Sequence, residues 1–467
     1  MPQPWAGYSR PIAIGEETMV KNLTMRLGIA LLALALVAAA CGDDDAGTST
    51  TAAPPSTTTT TAATTTTTAA TTTSEATTTS AAGRANGILE IGTILPETGD
   101  LAFLGPPMIN AVNMALADIN AAGGVLGQPL ELTPADDGTN ADIASAAVDG
   151  HLAAGVDGII GAAASSISLA VLDKISGSQT MQCSPSNTGS VFTTIDDNGG
   201  YYTRTAPPDN LQAQALGDLI TADGYTDVAI IALNNEYGQG FADDLIAQLE
   251  ASGASVVANV AYDPNGTVFD ADVQQLADAA PQAVALIAYP DTGSLVLQAM
   301  IEQGVGPADL QIYLTDGTQS SGLAAKVDPA NPAILEGVKG TAPSAAPPGG
   351  AAWFGDAFAA FSPGTDTIFA SYAYDCLVVF ALAAEVAGTD DPTVWVNEVN
   401  GVTKDGEKCD TYAGCLALIA AGTDIDYDGA SGVLNFTDAG EPGAGYYDIW
   451  HLDATGAVVT DETVPVG

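Results

Sequence analysis

The chain has 467 residues, of which 47% are hydrophobic and 51 are glycines, so it is long enough to bury one large core or two. Its 10 Lys and Arg residues oppose 56 Asp and Glu residues, and the resulting net charge of -46 repels phosphate backbones and anionic lipid headgroups. Nucleic-acid binding is therefore not expected. The histidines, His151 and His451, are far apart in sequence, which leaves little for a histidine-activated nucleophile or a multi-histidine metal site. A two-domain, non-enzymatic protein with no cofactor and no metal is the starting expectation.

The N-terminal region has the features of a targeting signal. Residues 27–40 read LGIALLALALVAAA, follow Arg26 and precede Cys41. A basic residue, a short apolar run and small residues before a cleavage point are typical of a secretory signal, and the run is shorter than the ~20 apolar residues of a membrane-spanning helix. The arrangement resembles a bacterial lipoprotein signal, in which the cysteine is acylated. We expect residues 1–40 to be a signal peptide, with Met19 or Met25 as alternative starts, and Cys41 to be lipidated on the outer face of the cell membrane.

A low-complexity segment follows. Residues 48–80 are almost wholly Thr, Ser and Ala, a composition that cannot bury enough apolar surface to offset its chain entropy. Residues 41–86 are therefore predicted to be a disordered linker that holds a globular part away from the membrane. The hydroxyl groups either carry sugars or remain unmodified.

From Gly87 onward the pattern alternates between strand and helix. The run ILEIGTILP predicts a strand, and PMINAVNMALADINAAGG carries apolar residues at helical spacing before two glycines. The unit repeats through PLELTPADD, DIASAAVDGHLAAG, VDGIIG and SISLAVLDKISG. After RTAPPDN at residues 204–210, a second series of helices and strands begins. The alternation predicts two α/β lobes, each with a largely parallel sheet.

The loops after the strands are the candidate binding surfaces, because ligands of open α/β sheets sit at the carboxyl ends of the strands. In GAAASSISLA, Ser165 and Ser166 lie at the expected start of a helix, where they either cap that helix or bind a carboxylate. The next loop, with Ser186 and Thr188, again supplies hydroxyl groups. In the second lobe, an acid and two phenols lie at strand ends or turns: Asp316, Tyr237 and Tyr289. Hydroxyls opposite a carboxylate suit an α-amino acid.

The motifs ILPETGDLAFLG, ADINAAGGVLGQPLEL, GAAASSIS, SPSNT, NNEYGQG and TDG occur in an order that resembles the branched-chain amino acid-binding proteins of ABC importers. The resemblance covers roughly residues 87–455. It implies a type I periplasmic binding protein fold, in which three chain crossovers form a hinge between two doubly wound α/β lobes and the ligand cleft lies between the lobes. It places residues 87–206 and about 340–428 in the N-terminal lobe, and residues 207–339 and about 429–467 in the C-terminal lobe.

The resemblance also implies roles for the loop residues. Ser165, with Ser166 beside it, would bind the ligand carboxylate together with Thr188, and the carbonyl of Ser186 would receive the ammonium. Asp316 stands where the family has a glutamate that pairs with the ammonium, and Tyr237 and Tyr289 match cleft tyrosines. Leu104 stands where an aromatic residue often contacts the ligand side chain. The implied protein is an extracytoplasmic, monomeric receptor that delivers an amino acid to ABC permease subunits.

Other features are given simpler interpretations. The stretch DIDYDG from Asp424 copies the start of an EF-hand loop, but Asn435 replaces the bidentate Glu, so a crossover turn is preferred to a calcium site. Cys409 and Cys415 bracket a short polar loop and are expected to pair. Cys183 and Cys376 are expected to be buried thiols, and whether those two pair is left open.

Rival functions share some of these features. A ligand sensor and a binder of an amide- or urea-type solute would have the same fold. A serine hydrolase would need a G-x-S-x-G elbow with a histidine in reach, and the sequence has no such elbow. A surface adhesin would explain the Thr-rich segment but not the polar strand ends.

Overall fold

A computed structural model describes residues 84–348, 350 and 352–467. The predicted signal peptide, Cys41 and all but the last three residues of the predicted linker lie outside the described residues.

The chain first forms a parallel sheet, called here the first sheet. It consists of β1 (Glu90–Ile94), β2 (Glu131–Ala135), β3 (Gly158–Gly161), β4 (Met181–Ser184) and β5 (Tyr202–Arg204). These strands pair in the order β2-β1-β3-β4-β5. The connecting helices are α1 (Gly105–Ala121), α2 (Ala141–Ala154) and α3 (Ser165–Gly177). Strand and helix therefore alternate as the sequence predicts.

A second alternating series follows. Its members are α4 (Asp209–Ala222), β6 (Asp227–Leu233), α5 (Glu236–Ala251), β7 (Ser255–Tyr262), α6 (Asp270–Ala279), β8 (Ala283–Ile287), α7 (Pro290–Glu302), β9 (Gln311–Leu314), α8 (Leu323–Val327) and β10 (Lys339–Pro343). The strands pair in parallel in the order β10-β9-β8-β6-β7. This series is the larger part of the second sheet.

The chain then returns to the first sheet. The returning elements are α9 (Phe354–Phe361), α10 (Ala370–Ala387), α11 (Pro392–Trp395), β11 (Glu407–Cys409), α12 (Tyr412–Ala420), β12 (Ile425–Gly429) and β13 (Gly432–Val433). Helix α10 packs against α1, β3 and β4, so this segment belongs with the first sheet. We call the first sheet and its helices the first lobe.

Two antiparallel strands, β14 (Gly445–Leu452) and β15 (Val458–Val466), complete the second sheet beside β10. The second sheet and α4–α8 form the second lobe. Within the described residues, the chain passes between the lobes three times: after β5, after β10 and after β13. The predicted α/β fold class is thereby confirmed.

Local sequence signals explain the element boundaries. The strands β3 and β8 are short apolar runs whose residues are all buried, as expected for parallel strands covered by helices on both faces. Asn140 begins α2 by accepting hydrogen bonds from the amides of Asp142 and Ile143, and Gly155 ends the helix with a positive φ of 86°. Asn235 caps α5 in the same way.

One passage between the lobes lies slightly later than the sequence indicates. The predicted change of lobe at about residue 340 falls within β10, which pairs with β9 and β14 of the second sheet. The passage itself follows Pro343. The strand reads KGTAP and lacks the continuous apolar run that marks the other strands, which hides it from pattern analysis.

Helix α10 is buried on almost all of its sides, and most of its residues are apolar. It is the one helix of the described residues that is long and apolar enough to cross a membrane, and 83% of it is buried inside the protein. Its side chains pack against α1 and the first sheet. Helix α10 is thus the central core helix of the first lobe.

The four cysteines of the described residues form two disulfides, and one of them joins cysteines that were expected to be thiols. Cys409 and Cys415 are bonded, with their Cα atoms 5.3 Å apart. Cys183 of β4 and Cys376 of α10 are fully buried as expected, but they are not free thiols: they form a disulfide with a Cα separation of 5.8 Å. The packing of α10 on the first sheet brings together two residues that are 193 positions apart in sequence.

Candidate ligand-binding site

A small cavity lies between the two lobes at the carboxyl ends of the parallel strands, and we call it the cleft. Its volume is about 10 Å³. The first lobe contributes Leu101, Leu104, Ala163, Ser165, Ser186, Thr188 and Phe369, and the second lobe contributes Tyr237, Tyr289, Asp316 and Gly317. Pockets for small ligands usually measure roughly 300 Å³ or more. The lobes must therefore move apart for an amino acid to enter.

The wall of the first lobe begins at the end of β3. Gly161 has a φ of +117°, and a Cβ atom there would lie 2.0 Å from the carbonyl oxygen of Ile94, so only glycine fits. Ser165 is the first residue of α3 and is 2% exposed. Ala164 occupies the N-cap position without a side-chain bond, and the Ser165 hydroxyl instead accepts a hydrogen bond from the Gly189 amide at 3.3 Å. The serine does not cap its own helix.

A network of side chains holds the two hydroxyl-bearing loops together. The Ser184 hydroxyl donates to the Ala162 carbonyl at 2.7 Å, and the Ser186 hydroxyl donates to the Ala163 carbonyl at 3.1 Å. The Asn187 amide donates to both carbonyls, at 3.2 and 2.8 Å. All three side chains are buried. The loop after β3 and the loop after β4 are therefore fixed relative to each other by contacts within the first lobe.

Arg204 fixes the second of these loops from behind, and the sequence analysis did not identify it. Its guanidinium is fully buried and donates to the carbonyls of Asn187 and Gly189, at 3.1 and 2.8 Å. The same guanidinium forms an ion pair with Glu441, whose oxygen is 2.8 Å from Nε. Glu441 lies in the last passage between the lobes. A lone arginine at the end of a predicted lobe was the available signal, because a buried arginine needs several acceptors.

The opposite wall comes from the second lobe. The Tyr237 hydroxyl is 2.7 Å from the Thr315 hydroxyl and donates to Asp316 Oδ1 at 3.0 Å. The Gln212 amide donates to the same carboxylate oxygen at 3.0 Å. The Tyr289 ring stacks on the Tyr237 ring with a centroid distance of 5.6 Å. The carboxylate of Asp316 is thus oriented by two donors.

The electrostatics of this wall are set by burial. Burial raises the pKa of Asp316, while hydrogen bonds from Tyr237 and Gln212 oppose the rise. Burial, followed by the charge of Asp316, also raises the pKa of Tyr237 and of Tyr289, so both phenols stay protonated. The wall consequently offers one acidic group and two neutral hydroxyls to a ligand.

Most of the residues predicted from sequence meet in the cleft. Its lining includes Leu104, Ser165, Ser186, Thr188, Tyr237, Tyr289 and Asp316. Ser166 does not line the cleft and is half-buried on α3. Phe369, which the sequence analysis missed, lines the cleft from the start of α10 with a φ of 56°. Phe369 supplies an aromatic ring to the cleft, whereas Leu104 lies at the position where the resemblance implies an aromatic residue.

The remaining candidates from the sequence have structural partners elsewhere. Asp426 and Asp428 of the EF-hand-like stretch both pair with Lys408, at 2.8 and 2.9 Å, and the stretch forms the β12–β13 hairpin. His151 is buried with Nε2 3.0 Å from the Thr93 carbonyl, and His451 pairs with Asp461. Within the described residues no cluster of metal-ligating side chains is present.

Two larger cavities, of about 270 and about 490 Å³, lie along the passages between the lobes. The larger is lined mainly by small and apolar residues, including Pro207, Val433 and Gly445. The cleft is the better candidate site despite its small volume, because hydroxyls and a buried carboxyl converge on it from both lobes.

Comparisons with known proteins agree with this geometry. Residues 89–439 match the periplasmic binding protein family. The leucine-, isoleucine-, valine-, threonine- and alanine-binding protein of Pseudomonas aeruginosa is 30% identical over 324 residues, covering 65% of this chain and 80% of the relative. A chemotactic signal transduction system substrate-binding protein, BasB of Halobacterium salinarum, is 27% identical over 375 residues, covering 76% and 85%.

Solved structures share the fold. The leucine-binding protein LivK of Thermotoga maritima superposes with a TM-score of 0.67 at 20% identity, covering 80% of this chain and 98% of that structure. LivJ of Streptococcus pneumoniae, solved in complex with isoleucine, gives a TM-score of 0.66 at 18% identity, covering 81% and 99%. With its two α/β lobes and three passages between them, and with residues 89–439 matching the family model, this chain belongs to the periplasmic binding protein family and has the type I fold.

Proposed function

We propose that the protein is the extracytoplasmic solute-binding component of an ABC importer and that its ligand is a zwitterionic amino acid. The observation that carries the proposal is the division of the cleft: Ser165 and Thr188 face it from one lobe, and Asp316 faces it from the other. The hydroxyls and the first amides of α3 suit a carboxylate, whereas the buried carboxylate of Asp316 suits an ammonium. A ligand held from both lobes favours the conformation in which the lobes are closed.

The rest of the lining indicates the side chain of the ligand. Leu101, Leu104 and Phe369 are each no more than 3% exposed and present apolar surface. A branched-chain or other aliphatic side chain would bury its surface there, whereas a charged side chain would lose its hydration without a partner. The Pseudomonas relative is named for five amino acids with small or aliphatic side chains. Leucine, isoleucine, valine and alanine are the first ligands to test.

The remaining parts of the proposal rest on the sequence. Cys41 would carry the lipid that anchors the protein to the outer face of the membrane, and the Thr-rich segment would let the lobes reach ABC permease subunits. The protein would work as a monomer, because one chain supplies both walls of the cleft.

A sensory function is the second candidate, because the Halobacterium relative is named as a component of a chemotactic signal transduction system. A sensor and an import receptor would use the same cleft and the same closure, and would differ only in the protein that recognises the closed form. Uptake of labelled leucine by cells lacking this protein would be reduced if it serves import. Unchanged uptake with a lost chemotactic response would favour the sensor.

A thermal-shift screen tests the ligand class. Amino acids, amides, urea and simple carboxylic acids are added separately to the purified protein, and the melting temperature is measured. A ligand at 100 times its Kd stabilises the native state by about 2.7 kcal/mol, so aliphatic amino acids should raise the melting temperature by several degrees. A shift with amides or urea but not with amino acids would contradict the zwitterion proposal.

Solution scattering tests the closure. An amino acid that raises the melting temperature should also reduce the radius of gyration, because bonds from both lobes favour the closed population. A radius that is unchanged at saturating ligand would contradict the hinge.

A further inference from the structure

Asp209 is a buried acid that is not among the site residues predicted from the sequence. It is the first residue of α4, follows two prolines and is 0% exposed. Its amide donates to the Thr188 carbonyl at 2.7 Å, which places the start of α4 directly against a cleft loop. Within the described residues neither carboxyl oxygen of Asp209 has a hydrogen-bond partner. A fully buried carboxylate without donors would be strongly destabilised if it were ionised.

Helix α4 connects Asp209 to the acid of the cleft. Gln212 lies three positions further along α4, on the same face as Asp209. The Gln212 amide donates to Asp316 Oδ1 at 3.0 Å and to the Thr341 carbonyl at 2.9 Å. One face of α4 therefore carries both a donor to the cleft carboxylate and a second carboxyl group without partners.

Among the described residues, the cation that acts on Asp209 is Arg204, and it already has other partners. The charged groups near Asp209 are Asp316, Arg204 and Asp244, and the nearby phenols are those of Tyr237, Tyr289 and Tyr447. Arg204 is already paired with Glu441, and Asp244 accepts a hydrogen bond from the Ser190 hydroxyl. Two buried carboxylates whose one neighbouring cation is already paired repel each other.

The titration of the two acids reflects this arrangement. Burial and then the charge of Asp316 raise the pKa of Asp209 well above its ordinary value, and the charge of the Arg204 guanidinium only partly opposes the rise. The pKa of Asp316 is raised by burial as well. The unbound cleft therefore favours one proton and one negative charge on the two carboxyls.

We propose that Asp209 and Asp316 act as a carboxyl pair that holds a single proton when the cleft is unbound, and that the ammonium of the ligand displaces this proton to solvent. The inference rests on the proposed function, because it requires a ligand with an ammonium group. The O–H bond of the protonated carboxyl breaks, its electron pair stays on the carboxylate oxygen, and water takes the proton. The ammonium group of the ligand is unchanged, and the pair becomes doubly ionised. Binding then tightens as the pH rises and the proton is lost more readily, by up to tenfold per pH unit while the pair remains protonated.

Infrared spectroscopy of the full-length protein without ligand tests the proton directly. At pH 7 the carbonyl stretching band of protonated carboxyls should be weaker in Asp209→Asn than in the wild type, because Asp209 carries the proton of the pair and Asp316, which has donors from Tyr237 and Gln212, stays ionised. Asp209→Ala should remove the same intensity and serves as the second variant if the first does not fold. Asp218→Asn, an exposed substitution on the same helix, should leave the band unchanged. Equal band intensity in the wild type and both Asp209 variants would overturn the shared proton.

Calorimetry tests the displacement. L-leucine is titrated into the protein at pH 7 in phosphate and in Tris, whose ionisation heats differ, and the difference gives the number of protons released. The wild type and Asp218→Asn should release about one proton per leucine, and Asp209→Asn should release about none. Leucine binding without proton release in the wild type would overturn the displacement. A complete absence of amino acid binding would contradict the proposed function instead, and the infrared band would then decide the proton pair by itself.

Discussion

At the scale of single residues, the cleft depends on small side chains that let backbone groups approach each other. Gly161, Ala162, Ala163 and Ala164 bring the chain from β3 into α3 without bulk. The carbonyls of Ala162 and Ala163 are held by side chains of the next loop, and Ser165 follows at once with its hydroxyl against Gly189. The plain composition of this loop is what allows the hydroxyl and the first amides of α3 to face one cavity.

Two adjacent serines provide a matched test of the site. Ser165→Ala should weaken leucine binding by roughly 10- to 100-fold, because a hydrogen bond to a charged group contributes about 1.5–3 kcal/mol. Ser166→Ala, one position along the same helix, should leave the affinity within about twofold, since Ser166 does not line the cleft. Isothermal titration of both variants measures the difference. Equal affinities of the two variants would contradict the assignment of Ser165.

Gly161 provides a test of the loop itself. Gly161→Ala should lower the free energy of unfolding by more than about 1 kcal/mol, since the new Cβ would meet the Ile94 carbonyl at 2.0 Å and the φ is positive. It should also weaken ligand binding, because the following residues carry Ser165. Gly177→Ala at the end of α3 meets no atom within 4 Å and should be neutral or slightly stabilising. Urea denaturation of both variants checks the prediction, which a native-like stability of Gly161→Ala would refute.

At the scale of elements, helix α10 unites the first lobe. It packs on α1 and the first sheet, its Cys376 is joined to Cys183 of β4, and the buried Asp375 accepts hydrogen bonds from Tyr427 and from the amides of Ala430 and Ser431. One helix thus ties the parallel sheet to the β12–β13 hairpin that precedes the last passage between the lobes.

The two disulfides should differ in their effect on stability. In the chain-entropy relation, the cost of removing a crosslink grows with the loop that it closes. The Cys183–Cys376 loop spans 193 positions and the Cys409–Cys415 loop spans 6, which corresponds to about 5 and about 2 kcal/mol respectively. Double alanine variants of each pair, compared by urea denaturation, should show the larger loss for Cys183 and Cys376. A smaller loss for that pair would contradict its formation.

At the scale of the whole molecule, the dominant property is negative charge. The formal net charge is -46, and several of the basic residues are already paired with carboxylates, among them Lys174, Lys326, Lys339 and Lys408. Most of the acidic groups therefore have no cation opposite them. Their mutual repulsion keeps the protein soluble and lowers the stability of the compact state.

The melting temperature should therefore rise with salt. Screening shortens the range of repulsion from about 30 Å at 0.01 M to about 3 Å at 1 M ionic strength, so increasing NaCl over this range should stabilise the fold. The same titration near pH 4, where many carboxyls are protonated, is the control and should show a smaller rise. A salt response that is as large at pH 4 as at pH 8 would show that repulsion between carboxylates is not its cause.

The stability should also increase as the pH falls from 8 toward 5. Burial raises the pKa of Asp157 to about 7 and those of Asp137 and Asp375 to about 6. Groups with a raised pKa in the folded state stabilise it fully below their unfolded pKa of about 4, and this stability is lost as the pH rises through the folded value. Asp157→Asn should reduce the difference in melting temperature between pH 5 and pH 8. A wild-type melting temperature that falls as the pH is lowered from 8 to 5 would contradict the prediction.

Local patterns were sufficient for much of this architecture. Continuous apolar runs identify β3 and β8, and helical periodicity closed by glycine identifies α1 and α2, because these signals arise from neighbours in sequence. Ser165, Thr188 and Asp316 could be proposed because each follows a recognisable strand and the order of motifs resembles a family. Strand β10 escaped recognition as part of the second sheet, since its sequence lacks such a run.

The sequence by itself determined the α/β class, the alternation of elements, the acidic character of the surface and the polar residues at the strand ends, because these follow from composition and from short-range spacing. Only the tertiary structure decided which partners those residues have. It joins Cys183 to Cys376 and bonds Arg204 to the loop after β4. It also packs Asp209 against Thr188 with no donor to the Asp209 carboxyl. Such contacts depend on how distant segments pack, and burial then decides which acid keeps its proton.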